Sequence, residues 1–282
     1  MTKDADEKES ERPLDKIWVK GDLLQYQGYK ISRSCGKDKN IFGSCAISIK
    51  KNGKILSKDE SAHNNPDYMD FGLFDFLGRG DKQLIIRTYS GGGHCCTDYY
   101  IYDLSAKFRI VYNSSKYDSA NEIGSELVPV DIDGDGIYEF YQDVMAFDYD
   151  GAGGHASASF PPAIFRFDRG SGRFDLATKR FPKFVLAQLS KNLTYLDKEI
   201  AENKDTYVSA DDRAEYDEEY RVRETFLFWM YAGKREKAWE YFRNNYRSKI
   251  SGKYMDEFRE QFIGEFHETF RKDPTYLSIY DR

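Results

Sequence analysis

Residues 130–139 read Val-Asp-Ile-Asp-Gly-Asp-Gly-Ile-Tyr-Glu, and this stretch decides the reading of the chain. Asp131, Asp133, Asp135, Ile137 and Glu139 fall at positions 1, 3, 5, 7 and 9 of a loop. Alternate residues supply acidic side chains, and Ile137 offers a backbone carbonyl. Gly134 and Gly136 let the chain curl tightly between them. A hard cation such as Ca2+ takes six to eight oxygen ligands, and this spacing can wrap one ion. Four carboxylates gathered without a cation would repel one another, so the ion is expected to be part of the fold. Position 12 holds Gln142 where an EF-hand requires a bidentate Glu, which disfavours an EF-hand. The competing reading is an Asp-Gly-rich turn held by local hydrogen bonds alone.

Working outward, the region around this loop occurs twice. The stretch starting at Phe74 matches the one starting at Val130. Asp75 corresponds to Asp131, His94 to His155, Asp103 to Asp168 and Phe108 to Phe174. The two repeats cover about residues 70–115 and 126–180, the second carrying small loop insertions. Repetition of this kind points to propeller-blade-like units or stacked antiparallel sheets. Two copies cannot close a propeller, so residues 22–60 are expected to add strands. The first copy has Asp75, Leu77, Arg79, Asp81 and Gln83 at the five loop positions. Two ligand positions are thus apolar or cationic, with the Arg79 guanidinium a candidate to neutralise Asp75. One ion is expected, not two.

Short strand-like runs fill the first part of the chain: AISIKKNGKILS with an Asn52-Gly53 turn, QLIIRTYS, YYIYDL, FRIVY and AIFRF. Nineteen of the 22 glycines and six of the seven prolines precede Lys183. Because turn formers thin out in helical regions, a boundary is expected near 182. Beyond it, Phe226, Met230 and Gly233, then Trp239, Phe242 and Tyr246, follow helical steps. Phe258, Phe262, Phe266 and Phe270 continue such a face. Ser209 and Ser251 are expected as N-caps and Gly233 as a C-cap. The fold class is therefore α+β multidomain: a lead over 1–17, a β-rich repeat domain over 18–182, and an α-helical domain over 183–282.

Bulk chemistry narrows the partners. A net charge of -6 provides no dominant basic face, which argues against nucleic acid. The basic residues from Lys234 to Lys249 interleave with Glu236 and Glu240, as on a solvated helix face. No apolar run is long enough for a membrane span. Ten of the first sixteen residues are charged, so the lead does not read as a signal peptide.

The loop and the strand-like YEFYQDVMAF after it resemble the FG-GAP and VCBS-type repeats of extracellular β-propellers. Those loops read Asp-x-Asp-x-Asp-Gly-x-x-Asp/Glu just before a strand. The stretch Ser90-Gly91-Gly92-Gly93-His94-Cys95-Cys96, the aspartate loop and the helical tail also resemble a group of uncharacterised exported bacterial proteins, often lipoproteins. This second resemblance spans roughly residues 70–245, with Gly93 in place of the usual Ala. It implies calcium binding and a periplasmic or cell-surface location, the export signal being absent from this chain. Without it, a cytoplasmic location stands. It carries no activity.

Four cysteines, Cys35, Cys45, Cys95 and Cys96, lack the spacing of a zinc site. Cys95 and Cys96 align with Ala156 and Ser157, so the repeat does not need thiols for its shape. The expected arrangement has Cys95–Cys96 reaching back to Cys35 and Cys45 as disulfides, with buried or reactive thiols as alternatives. His94 and His155 each follow a glycine run, and recurrence at one repeat position favours a turn-stabilising role over catalysis.

Three functions compete on this sequence. The first is a non-enzymatic, calcium-stabilised extracytoplasmic module that binds an envelope protein or glycan. The second is a hydrolase of a cell-envelope polymer with Asp148, Asp150 and His155 at its site. The third is a structural domain whose helical tail docks a partner.

Overall fold

Two-residue turns organise the first strands. Gln27 and Gly28 have φ of 46° and 79°, and Asn52 and Gly53 have φ of 51° and 78°. Two successive positive φ values give the hairpin turn whose twist matches that of antiparallel strands. The computed structural model describes residues 14–35, 45–61, 69–89, 97–105, 107–117, 123, 126–145, 159–202 and 210–245. The first turn joins β1 (Leu23–Tyr26) to β2 (Tyr29–Cys35), and the second joins β3 (Cys45–Lys51) to β4 (Lys54–Ser61). These strands form a four-stranded sheet in chain order, so residues 22–60 do supply further strands.

Two more four-stranded sheets follow the same plan. One contains β5 (Met69–Phe74), β6 (Gln83–Tyr89), β7 (Thr97–Asp103) and β8 (Arg109–Asn113). The other contains β9 (Val128–Val130), β10 (Glu139–Asp143), β11 (Pro162–Asp168) and β12 (Arg173–Leu176). Each sheet places its strands side by side in sequence order. The two sequence repeats are thus two meanders, with Asp103 and Asp168 both ending a third strand.

Period-two alternation explains the packing. Tyr29 and Ile31 of β2 and Cys45, Ile47 and Ile49 of β3 point to one face. There they meet Met69, Phe71, Leu84, Ile86 and Tyr102 of the second sheet in one buried core. The opposite face of the second sheet carries Ile85, Ile101 and Val111, also buried. On that side Tyr112 meets Phe140 of β10 edge to face, with ring centroids 4.6 Å apart.

Cys35 and Cys45 are directly opposite in the β2–β3 register and form a disulfide. This corrects the expected pairing with Cys95 and Cys96, which lie outside the described residues, as do His94 and the rest of the 90–96 segment. Strand register decided the pairing, and spacing along the chain does not reveal register.

Among the described residues, three helices follow the strands: α1 (Pro182–Glu202), α2 (Ala210–Tyr231) and α3 (Arg235–Asn245). Gly233, at φ 72°, ends α2 as expected. Its N–H donates to Met230 O at 3.0 Å, and the Lys234 N–H donates to Trp229 O at 2.8 Å, the paired bonds of a Schellman cap. Phe226 packs on Trp239 and Phe242 of α3, with centroids 4.6 and 5.1 Å away. Ser209, Tyr246, Ser251 and the Phe258–Phe270 stripe lie outside the described residues. The chain divides into two compact units, residues 1–115, 126–141 and 167–174 forming one, and 116–125, 142–166 and 175–282 the other. Both aspartate loops belong to the first unit and the three helices to the second. Among the described residues, no helix is long and apolar enough to cross a membrane.

Candidate metal centre

The loop of residues 131–138 links β9 to β10, with Val130 opposite Glu139 in the register. Its counterpart, 75–82, links β5 to β6, with Phe74 opposite Gln83. Glycine places the same backbone shape in both. Gly78 and Gly134 at position 4 have φ of 60° and 74°, and Gly80 and Gly136 at position 6 have φ of 79° and 80°. Side chains rarely adopt this region, so these glycines fix the curl.

The hydrogen bonds repeat as well. Asp131 Oδ2 accepts from the Gly136 N–H at 3.1 Å, as Asp75 Oδ2 accepts from the Gly80 N–H at 2.8 Å. Position 9 clamps the N–H of position 2 in each loop. Glu139 Oε2 accepts from Ile132 at 3.0 Å, and Gln83 Oε1 accepts from Phe76 at 2.8 Å. The correspondence between the two loops therefore extends to individual bonds.

The loops differ in what remains. Ligand oxygens of Asp131, Asp133 and Glu139 lie within 4.8 Å of one another, a group able to hold a metal ion. Glu139 is wholly buried and Asp133 exposed, so the group runs from the strand end to the surface. Asp131 Oδ1 is buried and accepts no hydrogen bond among the described residues. A buried carboxylate oxygen without a donor is costly, and a cation removes that cost. The donor set is entirely hard oxygen, which suits calcium or magnesium better than a thiolate-seeking metal. The residues fit such an ion.

Two loop residues stand differently. Asp135 Oδ1 accepts from the Ile137 N–H at 2.8 Å, and Asp135 is not in the three-carboxylate group. Ile137 is half-buried beside it. In the first loop, Leu77 at position 3 is buried, whereas its equivalent Asp133 is exposed. The Arg79 backbone N–H, not its guanidinium, serves Asp75, donating to Oδ1 at 3.2 Å. The guanidinium lies over the Phe167 ring, 5.5 Å from its centroid. The neutralising role expected for that guanidinium is replaced by a cation–π contact.

The loops also touch. The Tyr138 N–H donates to Phe76 O at 2.8 Å. A Cβ placed on Gly78 would lie 2.0 Å from Gly136 O, so position 4 of one loop faces the backbone of the other. Gln27 adds a third turn to the group, its Nε2 donating to Asp81 Oδ1 at 2.8 Å. Sequence reasoning missed Gly78 because its role is set by a neighbouring loop.

Asp148, Asp150 and His155, the residues of the hydrolase reading, lie outside the described residues. This chain matches no protein-family model, no curated protein and no solved structure.

Proposed function

We propose that the chain is a non-enzymatic, calcium-stabilised extracytoplasmic binding or scaffold module for an envelope protein or glycan. The observation that carries this reading is the convergence of Asp131, Asp133 and Glu139, with a buried Asp131 oxygen lacking a donor. In this reading Asp135 and the Ile137 carbonyl complete the oxygen set. The ion supplies no chemistry to a substrate; it ties β9 to β10 by holding both ends of their loop. Three four-stranded meanders act as blade-like units that present surfaces, in keeping with the resemblance to FG-GAP and VCBS-type repeats. The Cys35–Cys45 disulfide supports an oxidising compartment, the periplasm or cell surface.

Thermal melts with calcium and with chelator test the proposal. At about a hundred times the dissociation constant, linkage gives roughly 2.7 kcal/mol of stabilisation. Chelation is expected to lower the melting temperature of the wild type and to leave Asp133→Ala almost unmoved. A wild type that melts at one temperature in both conditions refutes the calcium reading.

A further inference from the structure

In the first loop, Gln83 does two jobs with one amide. Its Oε1 accepts from the Phe76 N–H at 2.8 Å, and its Nε2 donates to the Asp81 carbonyl at 2.7 Å. Position 9 is thereby tied to positions 2 and 7, and the loop closes on itself. Gln83 is 1% exposed, so solvent does not compete for these bonds. In the second loop the first bond is kept, from the Ile132 N–H to Glu139 Oε2. The second cannot be copied, because an ionised carboxylate has no hydrogen to donate. A carboxylate at position 9 offers the carbonyl of position 7 no hydrogen, whereas the convergence of Glu139 with Asp131 and Asp133 offers a cation three oxygens.

We infer that position 9 is the specificity-determining residue of this loop type, selecting between two latches. Glutamine closes the loop with its own amide and dispenses with the ion; glutamate leaves the closure to a divalent cation. The two residues are nearly isosteric, each opens its strand, and each sits opposite the last residue of the preceding strand. Their difference is one donor exchanged for one charge. This inference rests on the calcium reading of Asp131, Asp133 and Glu139. It adds that Gln83 fills the ion's place in the first loop and that the second loop can be converted.

Melts of the full chain with calcium and with chelator separate the two claims. Glu139→Gln is expected to lose the calcium response and, in chelator, to melt roughly 3 °C or more above the wild type. Gln83→Glu is expected to melt several degrees below the wild type in both conditions, because Leu77 and Arg79 cannot help hold an ion. A Glu139→Gln protein that keeps its calcium response, fails to fold, or melts in chelator no higher than the wild type overturns the latch. So does a Gln83→Glu protein as stable as the wild type. Failure of the calcium reading shows differently, as a wild type indifferent to calcium.

Discussion

Two loops of equal length, 75–82 and 131–138, share their glycines, their backbone shape and their carboxylate-to-amide bonds, yet they are built for different ends. The first is closed by neutral hydrogen bonds and buries Leu77. The second turns Asp133 outward, beside Asp131 and the buried Glu139. Shape therefore comes from the glycines and from position 1, which both loops retain. Chemistry comes from positions 3 and 9, where they differ. An aspartate-rich loop is a hairpin connection first, and its capacity for a cation is a separate layer.

The strongest way to break this comparison uses the residue that joins the loops. Gly78→Ala puts a methyl against Gly136 O and strains a left-handed backbone, and it is expected to cost about 2–4 kcal/mol. Gly134→Ala is the matched change in the second loop, where a Cβ meets nothing within 4 Å. Only the backbone strain remains there, about 1–2 kcal/mol. Urea denaturation of both variants measures the difference. Equal losses would mean that the contact between the loops contributes nothing.

Leu77→Asp tests whether position 3 alone decides metal capacity. Its side chain is buried, so the variant is expected to lose about 2–4 kcal/mol and to gain no calcium response. Calcium-dependent recovery of its stability would show the first loop to be one substitution away from a site.

A smaller effect separates two ways of burying a glutamate. Glu224 of α2 is fully buried, like Glu139, but lies outside the three-carboxylate group. Its carboxyl is held above the ordinary range chiefly by burial, against the lowering influence of the Asn192 amide, which donates to Oε1 at 2.6 Å. A raised folded-state value favours the protonated form. The stability it contributes is fully present below the unfolded carboxyl range and is lost as pH rises through the folded value. Glu224→Gln is expected to flatten that decline while leaving the calcium response intact. Melting temperatures across pH, with and without calcium, check both parts.

How much of this was legible in the sequence depended on distance along the chain. The Asn52-Gly53 hairpin, the Gly233 cap and the spacing of Asp131, Asp133 and Glu139 are local, and local backbone rules reach them. The repeat could be read because Asp75, His94, Asp103 and Phe108 recur in the same order as Asp131, His155, Asp168 and Phe174. What escaped was set by partners remote in sequence. Cys35 met Cys45 through strand register; Leu77 turned inward because a core lay beneath it; Arg79 found the Phe167 ring. Gln83 stood in the sequence only as the last of the five loop positions, whereas its amide closes the loop. That could have been suspected from the Gln-for-Glu exchange at a position otherwise matched.

Counting bound ions by native mass spectrometry decides whether the 131–138 loop holds a cation. One calcium per chain is expected for the wild type and none for Asp133→Ala. A wild-type chain carrying no ion at millimolar calcium, or one carrying two with the first loop filled, would contradict it.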